Sequence, residues 1–482
     1  MKPATTVRDA VLLVLLTAAA VAVHGYHLGV EDQSMYLPAI KKALDPALYP
    51  HDAQFFLAQT RWTLYDEAVV GTIRATRLPV DWAMFLWHCG AVLLLLLGCL
   101  RVAQRCFAEA AAQWAGVVLV AAVLTLPVAG TLVLMADQYA HPRVLATAMA
   151  LFALAAILDR RVTAFAWIVL AAAIHPQVTA FAAAHLAFQL WLPARATDAL
   201  AALLLPAVMP QAPSRAWQEV MHTRRHHFAM QWTWYEWLGA YGPVLLLAWF
   251  VRIARKNGAP VLARVSARLA ISCALGILAG VLITTLPMLE RFVPTQPMRQ
   301  LHFVYVVMLL LGGGLLGQFL LRKRVLLWLV FFIPLFGGMF VAQRMVFPSS
   351  PHVEWPGRAT QNEWLEAFEW IRRNTPRDAL FALDPAHMSL PGEDNHGFRA
   401  LAERSMLADS VKDRGVAALF PALARDWQDQ VQARADWKNF QREDFLLLRA
   451  KYGVTWIVAE TPGPAGLPCP FQNVRVKVCR VE

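Results

Sequence analysis

Two carboxylates follow directly after the first long apolar segment of the chain. The apolar run 7–28 is followed by Gly29 and Val30, then by Glu31 and Asp32, with Tyr36 one helical turn further on. Ionisable side chains so close to hydrocarbon are energetically costly, and those that occur serve ion paths, proton relays or reacting groups. A carboxylate can act as a general base toward a hydroxyl group within hydrogen-bond reach. Glu31 and Asp32 are therefore the first candidates for catalysis.

A second group of polar side chains lies at the ends of later apolar segments. A cavity that opens toward one side of a membrane would collect them, because few of them lie in the middle of a segment. Arginine suits recognition of phosphate, since its planar guanidinium stays charged and donates two parallel hydrogen bonds. The candidate substrate-binding residues, together with Tyr36, are Asp137, Tyr139, His141, Arg143, His175, Gln177, Arg224, Arg225 and Arg299.

The composition sets the class of protein. Of the 482 residues, 58% are hydrophobic and only 16% are charged, and the mean hydropathy is +0.44. This exceeds what the core of a soluble protein needs. We predict a polytopic α-helical membrane protein with about eleven transmembrane helices, several of them short for a straight crossing. The predicted spans are 7–28, 82–100, 112–135, 144–158, 162–174, 178–192, 199–210, 241–253, 269–287, 302–321 and 325–346.

The distribution of lysine and arginine predicts the orientation. With eleven crossings, every basic cluster beside a span falls on the cytoplasmic side, as the positive-inside rule requires. This orientation puts the N-terminus inside and residues 347–482 on the outer face of the inner (plasma) membrane. The net charge of +11 belongs to the cytoplasmic loops, so nucleic acid is not expected as a partner. A cleaved signal peptide is the alternative for the first span and would leave the later topology unchanged.

The sequence divides into a transmembrane domain, 1–346, and an extracytoplasmic domain, 347–482. The first has a long outer loop at 29–80 and a second at 211–240, both with aromatic-rich helical stretches that fit the membrane interface. The helical spacing of 363–373 and the β-branched or alternating runs 378–383, 454–459 and 474–478 predict a small α/β fold.

The six cysteines fall into two groups. Four lie in or beside spans and suit small apolar positions. Cys469 and Cys479 flank a short stretch of the exported region, where an oxidising compartment permits a structural disulfide. No cysteine and histidine cluster has the spacing of a zinc site.

The acidic pair, the long outer loop, the short broken spans and the C-terminal α/β region together resemble the GT-C superfamily. These are integral-membrane glycosyltransferases that use polyprenyl-phosphate-linked sugars. The element His175, Pro176 and Gln177 is similar to that of uncharacterised bacterial members. The resemblance implies a first-loop acidic residue as catalytic base, which by position is Asp32, with Glu31 as competitor.

The sequence departs from the family in two respects. The order Glu31, Asp32 reverses the usual Asp-Glu pair, which leaves the choice of base open. No clear equivalent of the second acidic motif, which coordinates metal in the oligosaccharyltransferase branch, is present. A divalent metal therefore stays open, with Asp137 as the candidate.

Each candidate also has a structural interpretation. Glu31 and Asp32 could begin a solvated loop or cap the following helix, and Asp137 could pair with Arg143. His175 could satisfy backbone groups at the break made by Pro176, and the basic run 221–227 could bind lipid headgroups.

The sequence as a whole favours transfer of a sugar from a polyprenyl-phosphate-linked donor to an envelope glycan, lipid or protein on the outer face. Glu31 or Asp32 would be the base, and Arg143, Arg299 and Arg224 or Arg225 would hold the phosphate. The alternatives are a non-catalytic scaffold for envelope assembly, since fold does not imply function, and a transporter. No internal repeat of the kind common in transporters is evident.

Overall fold

The computed structural model describes residues 6–190, 214–358 and 361–482. Six of its helices are long and apolar enough to cross a membrane. They are Val7–His24, Val80–Cys106, Trp234–Lys256, Pro260–Thr285, Pro297–Leu321 and Val325–Val346. Each contains or overlaps one of the predicted spans. The predicted span 199–210 lies outside the described residues.

Four further predicted spans correspond to shorter helices. They are Ala110–Ala122, Pro142–Leu158, Thr163–Ile174 and Pro176–Leu190. The predicted span 112–135 is the one that differs most, because its second half forms a β-hairpin of Pro127–Val128 and Val133–Leu134. Pro127 has no amide hydrogen to continue the helix, and Gly130, at φ 67°, permits the turn. An apolar run by itself does not distinguish a buried strand from a helix.

The described chain forms two compact units. The first contains residues 6–25, 87–190 and 224–343, and the second contains residues 26–86, 214–223, 344–358 and 361–482. The sequence division at 346 follows chain order, whereas each compact unit is assembled from stretches that are far apart in the chain.

Glycines bring two helices of the first unit into close contact. A Cβ atom added to Gly116 would lie 2.5 Å from the carbonyl oxygen of Leu310, and one added to Gly317 would lie 2.6 Å from that of Ala111. Only residues without a Cβ allow backbones to approach this closely. Gly313 has the same packing role between Ala110–Ala122 and Leu301–Leu316, because a Cβ atom there would lie 2.8 Å from the carbonyl oxygen of Ala115.

The second unit is built around a five-stranded sheet, whose order along the sheet is Ser405–Met406, Leu380–Ala382, Trp456–Glu460, Val476–Arg480, Phe471–Gln472. The first three strands run parallel, and the last three form antiparallel pairs. The predicted α/β character of this region is confirmed. Its longer helices after residue 346 are Glu363–Asn374, Asp413–Leu419, Ala424–Gln432 and Arg442–Tyr452.

Residues 29–80, the predicted first outer loop, contribute three helices to the second unit, which are Gln33–Leu44, Gln54–Thr60 and Tyr65–Thr76. Phe55, Phe56 and Tyr65 are buried in this unit, whereas Trp62 is 65% exposed. The expectation that the aromatic-rich stretches of this loop lie in the membrane interface therefore does not hold for these three buried side chains. Their spacing reflects packing on the globular unit, which aromatic content alone cannot distinguish from an interfacial belt.

Candidate functional site

The acidic pair lies at the end of a short extended segment, residues 26–32, which we call the strap. The strap is hydrogen-bonded to residues 395–397 of the second unit. Val30 forms an antiparallel bridge with His396, and the amide of Glu31 donates to the carbonyl oxygen of Asn395 at 2.9 Å. Glu31 has a left-handed backbone, with φ 50°. Non-glycine residues adopt this conformation only where the surrounding structure imposes it. The strap therefore fixes the direction in which Glu31 and Asp32 leave the backbone.

Lys412 joins the two carboxylates. Its Nζ donates to Oε2 of Glu31 and, at 2.9 Å, to Oδ1 of Asp32. The Glu31 and Asp32 side chains are 40% and 36% exposed, whereas that of Lys412 is 15% exposed. Burial by itself would lower the pKa of Lys412, but the charges of Asp32 and Glu31 outweigh it and raise that pKa. Lys412 is therefore an ammonium group at neutral pH.

The structure gives no support to a capping role for Asp32. Asp32 occupies the N-cap position of Gln33–Leu44 without a side-chain capping hydrogen bond. Tyr36, one turn further on, is buried and packs edge-to-face on Tyr65, with ring centroids 5.9 Å apart. The carboxylates are thus accessible to a substrate, while Tyr36 contributes to the core of the unit.

A buried cluster of charged side chains surrounds Asp413, the residue that follows Lys412 in the chain. Arg399 donates to both oxygens of Asp413, at 3.0 and 2.9 Å, and also to Asp52. Burial raises the pKa of Asp413 to about 7, with a further contribution from Asp409 and against the pull of Arg399. No pattern in the sequence marks Lys412 or Arg399, because their partners lie in distant segments.

Glu354 holds the strap near its other end, where it contacts His27 of the strap and His396 of the neighbouring segment. Oε1 of Glu354 lies 3.0 Å from Nδ1 of His27 and 3.0 Å from Nε2 of His396, and Oε2 accepts the amide of Leu28. Burial opposes ionisation of Glu354, but His396 and the hydrogen bonds from both histidines lower its pKa to about 2. Burial likewise opposes protonation of His396, yet the charge of Glu354 raises its pKa overall.

Asp137 and Arg143 form a buried pair in the first unit. One guanidinium nitrogen of Arg143 donates to both Asp137 oxygens, at 2.9 and 2.8 Å. The interpretation of these two residues as an ion pair is therefore confirmed. His141 caps the helix Pro142–Leu158 by accepting the amide of Arg143 at its Nδ1, and its ring lies 5.9 Å from that of Tyr139.

His175 lies beside His141 in the first unit. The centroids of their rings are 5.9 Å apart. Nδ1 of His175 accepts the amide of Val178 at the start of Pro176–Leu190. His175 thus caps the second helix at the proline break, which refines the expectation that it serves the backbone there.

The neighbouring cationic residues differ in how they are held. Arg224 donates to Nε2 of His227 at 3.1 Å and lies 3.3 Å from Nε2 of His226. Both of these histidines and Arg299 line one small recess, together with Thr131, Gln296, Pro297 and Met298. Gln177 donates to the carbonyl oxygen of Thr295 at 2.8 Å and so supports the turn before Arg299.

Arg225 does not share this arrangement. It is exposed and donates through Nε to the carbonyl oxygen of Gln231. Of the two adjacent arginines, Arg224 is therefore the better placed to act with Arg299.

The described residues include the candidates for metal binding and for a disulfide bond. No group of three His, Cys, Asp or Glu within the described ranges is arranged to hold a metal ion. Asp137, the metal candidate from the sequence, instead faces the guanidinium of Arg143. The sulfurs of Cys469 and Cys479 are bonded to each other, with Cα atoms 3.9 Å apart. The bond links the strand Val476–Arg480 to the segment before Phe471.

Comparison with known proteins gives three results. Residues 362–413, which contain Arg399 and Lys412, match a family described as a domain of unknown function, DUF6798. No curated protein matches the chain. Among solved structures, the chain is similar to the apo crystal structure of ArnT from Cupriavidus metallidurans, with 13% sequence identity and a TM-score of 0.39. That alignment covers 98% of this chain and 97% of ArnT.

Proposed function

We propose that this protein is a membrane-embedded glycosyltransferase that moves a sugar from a polyprenyl-phosphate-linked donor to an acceptor of the cell envelope. Asp32 or Glu31 removes the proton of an acceptor hydroxyl. The hydroxyl oxygen attacks the anomeric carbon of the sugar, and the bond from that carbon to the phosphate oxygen breaks. The lipid phosphate leaves with the bonding electron pair, and the proton stays on the carboxylate.

The arrangement of Glu31 and Asp32 carries this proposal. Both carboxylates are more than one third exposed, their backbone is held by the strap, and Asp32 has no capping bond that would explain it as a helix terminus. A general base needs this combination of fixed geometry and access. A carboxylate that merely began a solvated loop would not need a left-handed backbone at Glu31 or a shared ammonium partner.

We assign binding of the donor phosphate to the arginines that the sequence singled out. Arg299 and Arg224 are our first choices, because one recess joins Arg299 to the histidines that Arg224 contacts. Fixed cations stabilise the charge that develops on a departing phosphate. Arg143 has a secondary role, since Asp137 already engages its guanidinium. Tyr139, His141, His175 and Gln177 shape the surroundings of these arginines.

The membrane context agrees with the proposed substrates. Six helices could hold the chain in a bilayer, so a lipid-linked donor can reach it laterally. We propose reaction on the outer face of the inner membrane, with a glycan, lipid or protein acceptor. The arginines can supply the positive charge that a divalent metal would otherwise provide.

The test is mass spectrometry of envelope glycans and lipid-linked sugars in isogenic strains. Strains with the gene deleted, with Asp32→Asn, with Glu31→Gln and with both substitutions are compared with wild type. Asp45→Asn is the matched control, because Asp45 is also an exposed carboxylate of the second unit and has an arginine partner, Arg377 at 2.8 Å.

We expect the deletion and the double variant to lose one glycosylated product while its lipid-linked donor accumulates. Loss of the general base should slow transfer by about 10²–10⁴-fold, and the single variants identify which carboxylate it is. Asp45→Asn should match wild type. Unchanged glycans in the deletion strain would refute the transferase. A product lost in the deletion but retained in the double variant would instead favour a scaffold.

A further inference from the structure

A short loop, Asp409 to Asp413, presents Lys412 to the acidic pair. Oδ1 of Asp409 accepts the backbone amides of Val411 at 2.8 Å, Lys412 at 2.5 Å and Asp413 at 3.2 Å. In return, the amide of Asp409 donates to Oδ2 of Asp413 at 2.9 Å. These bonds fix the backbone on both sides of Lys412. The position of its Cα atom is thus set by the loop and not by the ion pair itself.

The loop is anchored in the interior of the second unit. Arg399 grips Asp413 with two hydrogen bonds and also engages Asp52, whose carboxylate accepts the amide of Met406 at 3.0 Å. The side chains of Arg399, Asp413 and Asp52 are at most 5% exposed. Burying this many charges is costly, and such clusters are a weak source of stability. Through Asp413, this cluster fixes the loop that carries Lys412.

Lys412 is largely buried, with 15% of its side chain exposed, whereas Glu31 and Asp32 are more than one third exposed. Burial of an ammonium group costs free energy, and carboxylates that are open to solvent return only part of it. The placement of Lys412 against this acidic pair is therefore better explained by what the carboxylates do.

We propose that Lys412 is a positioning residue of the transferase site, and that its ammonium holds Glu31 and Asp32 side by side in the arrangement that receives the acceptor hydroxyl. This inference rests on the proposed function. Two neighbouring carboxylates repel each other, and a cation shared between them removes that repulsion and fixes the distance between them. Lys412 is not the base, because the two carboxylates raise its pKa and so keep its amine protonated. Its task is to keep one carboxylate directed at the hydroxyl.

The test compares Lys412→Met and Lys412→Arg with a matched lysine variant, Lys41→Met. Lys41 belongs to the same unit and also forms a partly buried ion pair, with Glu403 at 2.7 Å, and it donates to the carbonyl oxygen of Ala400. Under the proposed function, membranes of the deletion strain supply the accumulated donor and the unmodified acceptor. Each purified variant is added to these membranes, and product formation is followed by mass spectrometry across a range of pH, beside the thermal midpoint of the same sample.

We expect Lys412→Met to reduce the rate by about 100-fold, the loss typical of a misplaced reacting group. The acid limb of its pH–rate profile should move to higher pH, because the two carboxylates then repel each other with no cation between them. Burial raises the pKa of the nearby Glu393 well above its usual value, so Glu393 adds little to this repulsion. Lys412→Arg should restore part of the rate, since a guanidinium can also donate to both acids. Lys41→Met should keep the wild-type rate and pH profile whatever its thermal midpoint.

The outcomes separate this inference from the proposed function. If Lys412→Met keeps the wild-type rate and pH profile while the Glu31 and Asp32 double variant is inactive, the transferase stands and the role of Lys412 is refuted. If Lys412→Met loses activity only in proportion to a lower thermal midpoint, as Lys41→Met also does, Lys412 is merely structural. If deletion changes no glycan, both proposals fail.

Discussion

Replacing Arg399 by methionine should destabilise the second unit more than any surface charge substitution in it. The side chain is 3% exposed and neutralises Asp413 through two hydrogen bonds, with Asp52 and Asp409 also close to it. Methionine fills much of the space but leaves these carboxylates without their cation. Removal of one partner from a buried ion pair costs about 3–5 kcal/mol. For a domain of this size that loss lowers the thermal midpoint by about 6–20 °C.

The pH dependence of this loss has a definite sign. The folded-state pKa of Asp413 is raised from 3.8 to about 7, so this group stabilises the fold fully below the unfolded value and loses that contribution as the pH rises through about 7. Arg399 draws the pKa down, so without it the folded carboxyl keeps its proton to still higher pH. A protonated carboxyl needs no cation. The deficit of Arg399→Met should therefore be smaller below pH 7 than above it.

The assay is thermal unfolding of the purified protein in lipid nanodiscs, with hydrogen exchange of the central strands Leu380–Ala382 and Trp456–Glu460 as a readout of the second unit alone. Arg377→Met is the matched control, because Arg377 pairs with Asp45 at the surface and should change stability very little. A loss for Arg399→Met no larger than that for Arg377→Met, or a deficit that grows as the pH falls, would refute the role of Arg399 in neutralising Asp413.

Two further substitutions examine the strap that carries the acidic pair. Gly397→Ala would place a Cβ atom 2.3 Å from that of Ser34, so we expect overpacking to lower the free energy of unfolding by about 1–3 kcal/mol. Ser34→Gly should partly restore it. Equal thermal midpoints for Gly397→Ala and wild type would contradict this. Glu354→Gln should destabilise the protein more at a pH below 6.5 than above the raised pKa of His396, because only protonated His396 pairs with the carboxylate. The lowered pKa of Glu354, about 2, means that its own contribution is present above 4.5 and is lost only as the pH falls through about 2. A Glu354→Gln deficit in thermal midpoint that stays constant over this range would exclude the charge interaction.

Local sequence features were sufficient for much of the fold. Apolar length identified the regions of all six membrane-length helices, because a bilayer imposes a minimum run of apolar residues on any single segment. Alternation and β-branched residues identified the strands around Leu380–Ala382, Trp456–Glu460 and Val476–Arg480. The hairpin after Ala122 was missed because buried strands and helices share the same composition.

The candidate site was also predictable from the sequence only in part. The sequence singled out Glu31 and Asp32, since carboxylates beside an apolar span are costly and conspicuous. It could not identify Lys412, which lies 381 positions from Glu31 in the chain, because no local pattern reports a contact of that range. Nor could it exclude Asp32 as a helix cap or choose between Arg224 and Arg225, since both questions depend on side-chain direction. Composition and periodicity determine which segments are buried, whereas the partners of each charge are decided only when distant segments pack together.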